Sequence, residues 1–219
     1  MIAQINGIDL YYETIGSGRP LLLVHGNGED HTIFDAAIEE LKEHFTCYAV
    51  DSRGHGQSTN VKELHYEDMS RDMMALMEQL DLHDVVFYGF SDGGIIGLLT
   101  APRCDRITSL IVSGANLSPE GVSPMLRILL RVLYFFKRDP KIKLMITEPH
   151  ISEDALKKIK VPTLVLAGEK DLILEPETRR IANGIPGAEM KILSEEGHGS
   201  YIIHNRKIAR LILDFCSGS

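Results

Sequence analysis

Val85-Val86-Phe87-Tyr88-Gly89-Phe90-Ser91-Asp92-Gly93-Gly94 is the stretch on which the fold turns. It opens as an apolar run fit for a buried strand. It then passes through Gly89-Phe90-Ser91-Asp92-Gly93, a match to G-x-S-x-G, and continues into Gly94-Ile95-Ile96-Gly97-Leu98-Leu99, a run suited to a buried helix. Strand, sharp turn and helix is the context in which this motif carries chemistry. A serine on such an elbow presents its Oγ at the sheet edge, beside the free N–H groups and positive dipole end of the helix. The flanking glycines are needed where the elbow folds against neighbouring backbone and a Cβ would collide.

Working outward, the apolar run Leu21-Leu22-Leu23-Val24 reads as a central parallel strand covered on both faces. His25-Gly26-Asn27-Gly28 follows it. Position 31 is His31, not glycine, so a phosphate cradle of the G-x-G-x-x-G type is a poor reading. A loop at the C-terminal end of a central strand is instead placed to offer a backbone N–H to a site. Asn6-Gly7 between two short apolar segments predicts a hairpin. Ile33, Ala36, Ala37 and Leu41 recur at helical spacing, and Thr46 to Val50 forms the next strand. In the loop after it, Asp51 and Arg53 are expected to pair and brace a glycine-rich turn, with His55 structural. Met69, Met73, Leu76, Met77 and Leu80 make one helical stripe, read as packing against the sheet rather than as a ligand groove.

Strands are again expected at Ile107 to Val112, Val161 to Ala167 and Glu189 to Leu193, with a closing helix from Tyr201 to Cys216. Strands alternating with helices at this spacing predict an α/β fold with a mostly parallel sheet and helices on both faces. Residues 115–160 break the rhythm. The expected division is a core of residues 1–114 and 161–219 and a lid insertion at 115–160. Within the insertion Leu129 to Phe136 is an apolar helix carrying basic residues, with a membrane-surface helix as the alternative reading. Ser152 is placed to cap a further short helix.

Composition bounds the function. The chain has 219 residues, 44% hydrophobic and 25% charged, which suits one globular core. A net charge of −8 argues against nucleic acid or an anionic membrane as the main partner. The N-terminal residues lack a basic and apolar leader pattern, and no 18-residue apolar stretch occurs. Three widely spaced cysteines, Cys47, Cys104 and Cys216, fit a reducing compartment. The expected location is therefore cytoplasmic, without stable membrane insertion, and an oligomer sealed through the lid is an open possibility. Metal catalysis has no support, since there is no His-Glu-x-x-His and no clustered Cys/His set. No cofactor is expected.

A serine attacking a carbonyl needs a base, an acid to hold the base, and donors for the oxyanion. In a parallel sheet such groups converge from loops at the C-terminal strand ends. Ser91, Asp171 and His198 each follow a strand, in the chain order Ser, Asp, His. His204, placed inside the last helix, is a weaker base candidate, as are His25 and His55. Glu169 and Glu175 are alternatives for the acid.

With these residues in view, the chain resembles a small α/β-hydrolase of the serine esterase type. The resemblance rests on His25-Gly26, Asp51-x-Arg53-Gly54-His55-Gly56-x-Ser58, Gly89 to Gly94, Gly168-x-x-Asp171 and Gly197-His198, and covers nearly the whole sequence. It implies an eight-stranded, mostly parallel sheet with a short helical lid. It also implies Ser91 as nucleophile, His198 as general base and then acid, Asp171 as the orienting acid, and the backbone N–H groups of Asn27 and Asp92 as oxyanion donors. Some hydrolases take the acid from the preceding strand end, but here that region reads Ser113-Gly114-Ala115-Asn116, which favours Asp171.

The expected reaction is hydrolysis of a small-molecule ester or thioester. Amide, lactone or carbon–carbon cleavage, perhydrolysis and acyl transfer use the same parts, and a non-catalytic ligand-binding protein on this fold is the alternative of a different class. The expected acyl pocket is lined from the lid by Leu126, Leu129, Leu130, Leu133 and Phe136. Asp92 beside the nucleophile either turns to a loop and contributes only its N–H or attracts a cationic group of the substrate.

Overall fold

The structure is a computed structural model that describes residues 1–218. Eight strands form one sheet: β1 (Ile2–Ile5), β2 (Ile8–Gly16), β3 (Arg19–Val24), β4 (Phe45–Val50), β5 (Val85–Phe90), β6 (Ile107–Ser113), β7 (Thr163–Lys170) and β8 (Glu189–Gly197). Their spatial order is β1-β2-β4-β3-β5-β6-β7-β8. The hairpin β1–β2 is antiparallel with Ile5 opposite Ile8, as Asn6-Gly7 predicts, and both of those turn residues have positive φ. β2 also runs antiparallel to β4, and every pairing from β4 to β8 is parallel.

Helices cover both faces. They are α1 (Asp35–Leu41), α2 (Tyr66–Gln79), α3 (Asp92–Thr100), α4 (Pro124–Lys137), α5 (Pro140–Thr147), α6 (Glu153–Leu156), α7 (Glu175–Gly184) and α8 (Lys207–Ser217). Because strand side chains alternate, the uninterrupted apolar runs feed two cores at once. Leu22, Val24, Val85 and Phe87 pack on one side with the α2 stripe Met69, Met73, Leu76 and Met77. Leu21, Leu23, Val86 and Tyr88 pack on the other with α1 and α8. Pro176 lies in the first turn of α7, and the Ser152 hydroxyl accepts from the Ala155 N–H at the start of α6.

Two local expectations are corrected. Arg53 does not pair with Asp51; it forms a two-pronged bond with Asp72 of α2, both contacts at 2.6 Å. Asp51 instead accepts from the N–H groups of His31 and Gln57 and from the His31 ring, so it knits its loop through backbone donors. The last helix begins at Lys207, and His204 sits before it in a turn with φ +49°. The segment 115–160 packs on the rest of the chain. Ala115, Leu117, Leu144, Ile151, Leu156 and Ile159 are buried in the main core, whereas α4, with Leu130 as its one buried side chain, exposes most of its large apolar residues.

Cys47 is buried, which pushes its thiol up to about 12, and no disulfide occurs among the described residues. No helix among the described residues is long and apolar enough to cross a membrane.

Candidate active site

The site is built at the C-terminal ends of β3, β5, β7 and β8, where a parallel sheet opens a crevice. Ser91 joins β5 to α3 with φ +52° and ψ −113°, a strained conformation for a side-chain-bearing residue. The elbow fits because its glycines carry no Cβ. One on Gly89 would lie 2.1 Å from the Gly93 carbonyl oxygen, and one on Gly93 would lie 2.0 Å from that of Val24.

The Ser91 hydroxyl lies 3.0 Å from His198 Nε2, and His198 Nδ1 lies 2.6 Å from Asp171 Oδ1. Asp171 also accepts from the Ile173 and Gly168 N–H groups, so its carboxylate is fixed by three donors. With Asp171 accepting at Nδ1, the proton of a neutral imidazole is held there and Nε2 is left to accept from Ser91. The His198 ring packs on Phe90 with centroids 5.0 Å apart. It also passes over Gly114, where a Cβ would come within 2.8 Å of the ring.

The competitors lie elsewhere. Glu169 bonds to Ser194 and the Glu195 N–H, and Glu175 pairs with Arg179 on the helix surface. His25 is buried, its Nδ1 bonding the Gly26 carbonyl and its Nε2 accepting from the Ser52 N–H. Burial pushes His25 below its usual range and His55 down to about 4, so both rings are held neutral.

The Asp92 N–H is one of the donors left free at the first turn of α3. The Asn27 N–H, on the loop after β3, takes no partner among the described residues. Both side chains are tied to each other: Asn27 Nδ2 donates to Asp92 Oδ2 at 2.9 Å and also to the Lys141 carbonyl of α5. The Tyr66 hydroxyl donates to the other Asp92 oxygen at 2.7 Å. Asp92 is only 5% exposed, and burial pushes its carboxyl up. Glu29, also raised by burial, accepts from the Gly26 N–H and braces the same loop.

A cavity of about 130 Å³ opens over Ser91. Its apolar wall includes Phe90, Val122, Leu126, Met145, Leu172 and Ile173. Glu29, Asp92 and Glu148 border it, and among the described residues no lysine or arginine does. Leu126 is where the sequence placed it, but Leu129, Leu133 and Phe136 are not part of the wall. Helical periodicity turns them elsewhere: Leu129 is 51% and Phe136 76% exposed, on the outer face of α4. Sequence reasoning missed Tyr66, Glu29, Met145 and Leu172. They carry no motif, and only chain packing brings them to Ser91.

Residues 19–143, more than half of the chain, match the model of the alpha/beta hydrolase fold family. The chain belongs to that family. This hydrolase is 28% identical to the AB hydrolase superfamily protein YisY of Bacillus subtilis (strain 168), over 95% of each chain. It is 27% identical to the serine hydrolase BPHL of Mus musculus, over 96% of this chain and 84% of the relative. The crystal structure of bromoperoxidase from Bacillus anthracis superposes on the hydrolase with a TM-score of 0.88, covering 99% of both chains at 22% identity. At that identity the likeness speaks for the fold alone.

Proposed function

We propose that the protein is a serine hydrolase that cleaves a small carboxylic ester or thioester through an acyl-enzyme, with residues 115–160 acting as its lid. The single observation that carries this reading is the chain of contacts from Ser91 Oγ through His198 to Asp171, at 3.0 and 2.6 Å.

In this reading Ser91 Oγ attacks the acyl carbon while His198 Nε2 takes the hydroxyl proton. Asp171 holds Nδ1–H and stabilises the imidazolium that forms. The carbonyl oxygen becomes an oxyanion that accepts from the Asn27 and Asp92 N–H groups. As the tetrahedral adduct collapses, the C–O or C–S bond breaks and the proton on Nε2 passes to the leaving alcohol or thiol. Water then attacks the Ser91 acyl ester, giving a proton to His198. The second collapse releases the carboxylic acid and returns that proton to Ser91.

The cavity bounds the substrate. At about 130 Å³ it lies below the ~300–1,000 Å³ common for ligand pockets, which suits a short acyl group. Three carboxyl groups line the cavity, and no lysine or arginine among the described residues does, which favours a neutral substrate or one bearing an amine, with Asp92 the carboxylate next to the nucleophile in sequence.

Two measurements test the reading. A fluorophosphonate should label Ser91 in the unaltered protein and not in Ser91→Ala. A panel of nitrophenyl esters and thioesters should show turnover that peaks at short acyl chains. Folded protein that neither labels nor turns over any of them would return the chain to the non-catalytic alternative.

A further inference from the structure

Among the described residues twelve large hydrophobic side chains are exposed, and they are not scattered. Six lie on α4: Met125, Ile128, Leu129, Val132, Phe135 and Phe136. Their spacing of three and four residues puts them on one outward face. Two more, Leu172 and Leu174, lie in the loop bound to the base of this helix through the Ser123 N–H to Leu172 and the Leu174 N–H to Gly121. A patch of this extent on a monomer surface marks a contact. The inner side of the same helix supplies Leu130 to the interior and Leu126 to the cavity, so α4 is apolar on two sides.

Charge selects what covers it. Between positions 121 and 147 there are six cationic side chains, Arg127, Arg131, Lys137, Arg138, Lys141 and Lys143, against Asp139 alone. That is a net +5 in a chain of −8, which leaves −13 on the remaining residues. Asp139 is spent on capping α5, and Lys143 is paired with Glu63. Among the described residues no carboxylate lies within ion-pair distance of Arg131, Lys137 or Arg138; the Arg138 guanidinium rests on the Tyr134 and Phe135 rings. A second copy docked face to face would bring two +5 segments together. An apolar face edged with unpaired arginine and lysine, and two phenylalanines among its apolar side chains, has the make-up of a helix that lies in a lipid interface.

We propose that the outer face of α4 docks this protein reversibly on an anionic phospholipid surface. The apolar side chains enter the headgroup boundary, the cations meet the lipid phosphates, and the acidic body faces away. The cavity then lies beneath the docked helix, because Leu126 on its inner side is part of the wall. The inference does not depend on the chemistry at Ser91.

Vesicle flotation tests it, using phosphatidylcholine vesicles with and without roughly 30% phosphatidylglycerol. The full chain should float with the anionic vesicles, and the partition should fall by about tenfold or more on neutral vesicles or in high salt. Ile128→Ser with Phe135→Ser should lower it by about tenfold or more, and so should Arg131→Glu with Lys137→Glu. Both pairs lie on the exposed face, and unchanged thermal unfolding and far-ultraviolet circular dichroism show that the variants are folded. Absence of flotation, flotation indifferent to lipid charge, or flotation that survives both variant pairs overturns the proposal. So does a dimer in sedimentation equilibrium that Phe135→Ser dissolves while anionic vesicles bind nothing, which would assign the face to a second copy. Capture of an acidic protein by the same face, without vesicle binding, overturns it too.

Discussion

Asn27 and Asp92, 65 positions apart, are joined by a side-chain hydrogen bond of 2.9 Å. In the proposed mechanism each also supplies a backbone N–H to the oxyanion, and this one contact then sets the relative position of both donors. Because the Asn27 amide also reaches the Lys141 carbonyl of α5, the loop after β3, the elbow and the segment over the site are held as one unit. Asn27→Ala keeps its backbone N–H but loses this tether. The expected result is a fall in kcat of about tenfold with KM changed little. The unfolding free energy should drop by about 1–3 kcal/mol, because the variant withdraws a donor from a buried carboxylate. Steady-state kinetics and urea unfolding on the same preparation check both.

Ser91→Ala and His198→Ala are expected to lower kcat by about 10⁴-fold or more while leaving the fold intact. Asp171→Asn should approach that loss, since an amide can present the wrong partner to Nδ1 and reverse the tautomer. The double variant Ser91→Ala with His198→Ala should be scarcely worse than either single one. Additive losses would mean that these side chains do not act as a unit.

The elbow glycines give a prediction about stability. A Cβ on Gly93 would lie 2.0 Å from the Val24 carbonyl oxygen, so neither neighbour can yield without moving β3. Gly93→Ala should cost about 3 kcal/mol or more, or prevent folding. Gly28 lies in the adjacent loop with φ +76° and nothing within 4 Å of a built Cβ. Gly28→Ala should cost only the backbone strain, about 1–2 kcal/mol. Urea midpoints of the two variants should therefore differ clearly.

Acid should weaken the fold partly through His55. Burial holds its folded pKa near 4, below the ordinary value near 6.5. As pH falls through that window the unfolded chain binds a proton that the folded chain does not, so stability falls, by up to about 3 kcal/mol for this group alone, and levels off below the folded value. Glu29 and Asp92, raised by burial, act with the opposite sign. The useful quantity is therefore a difference: His55→Gln should lose less stability between pH 7.5 and 4.5 than the unaltered chain. Equal losses would contradict the assignment.

Asp92→Asn separates charge from bracing. The substitution keeps the shape beside Tyr66 and Asn27 but removes the negative charge. For an α-amino ester kcat/KM should fall about tenfold more than for the neutral ester of the same shape, as expected for a partly buried pair of charges. Equal losses on both would leave Asp92 as a brace alone.

The apolar runs at Leu21 to Val24 and Val85 to Phe90 could be read as central strands because a sheet covered on both faces leaves no polar position in them. G-x-S-x-G was legible for a steric reason, visible in the distances at Gly89 and Gly93. Arg53 pairs with Asp72 and not with its sequence neighbour Asp51, the partner that proximity in the chain suggests. Asp72, on a helix that folds back over the loop, could not be seen from spacing. Leu129 and Phe136 were placed in the pocket because apolar composition says that a helix packs, not which side of it packs, and α4 is apolar on both sides.

The sequence by itself determined the order of strands and helices, the elbow, and the placing of Ser91, Asp171 and His198 after β5, β7 and β8, since these follow from local periodicity and steric demand. Only the tertiary structure decided that Tyr66, Glu29 and Met145 border the cavity, that Asp92 is tied to Asn27, and which face of α4 looks outward. Those relationships join residues from 26 to 114 positions apart in the chain. They are set by how helices settle on the sheet, where many weak contacts compete and no single residue pattern records the outcome.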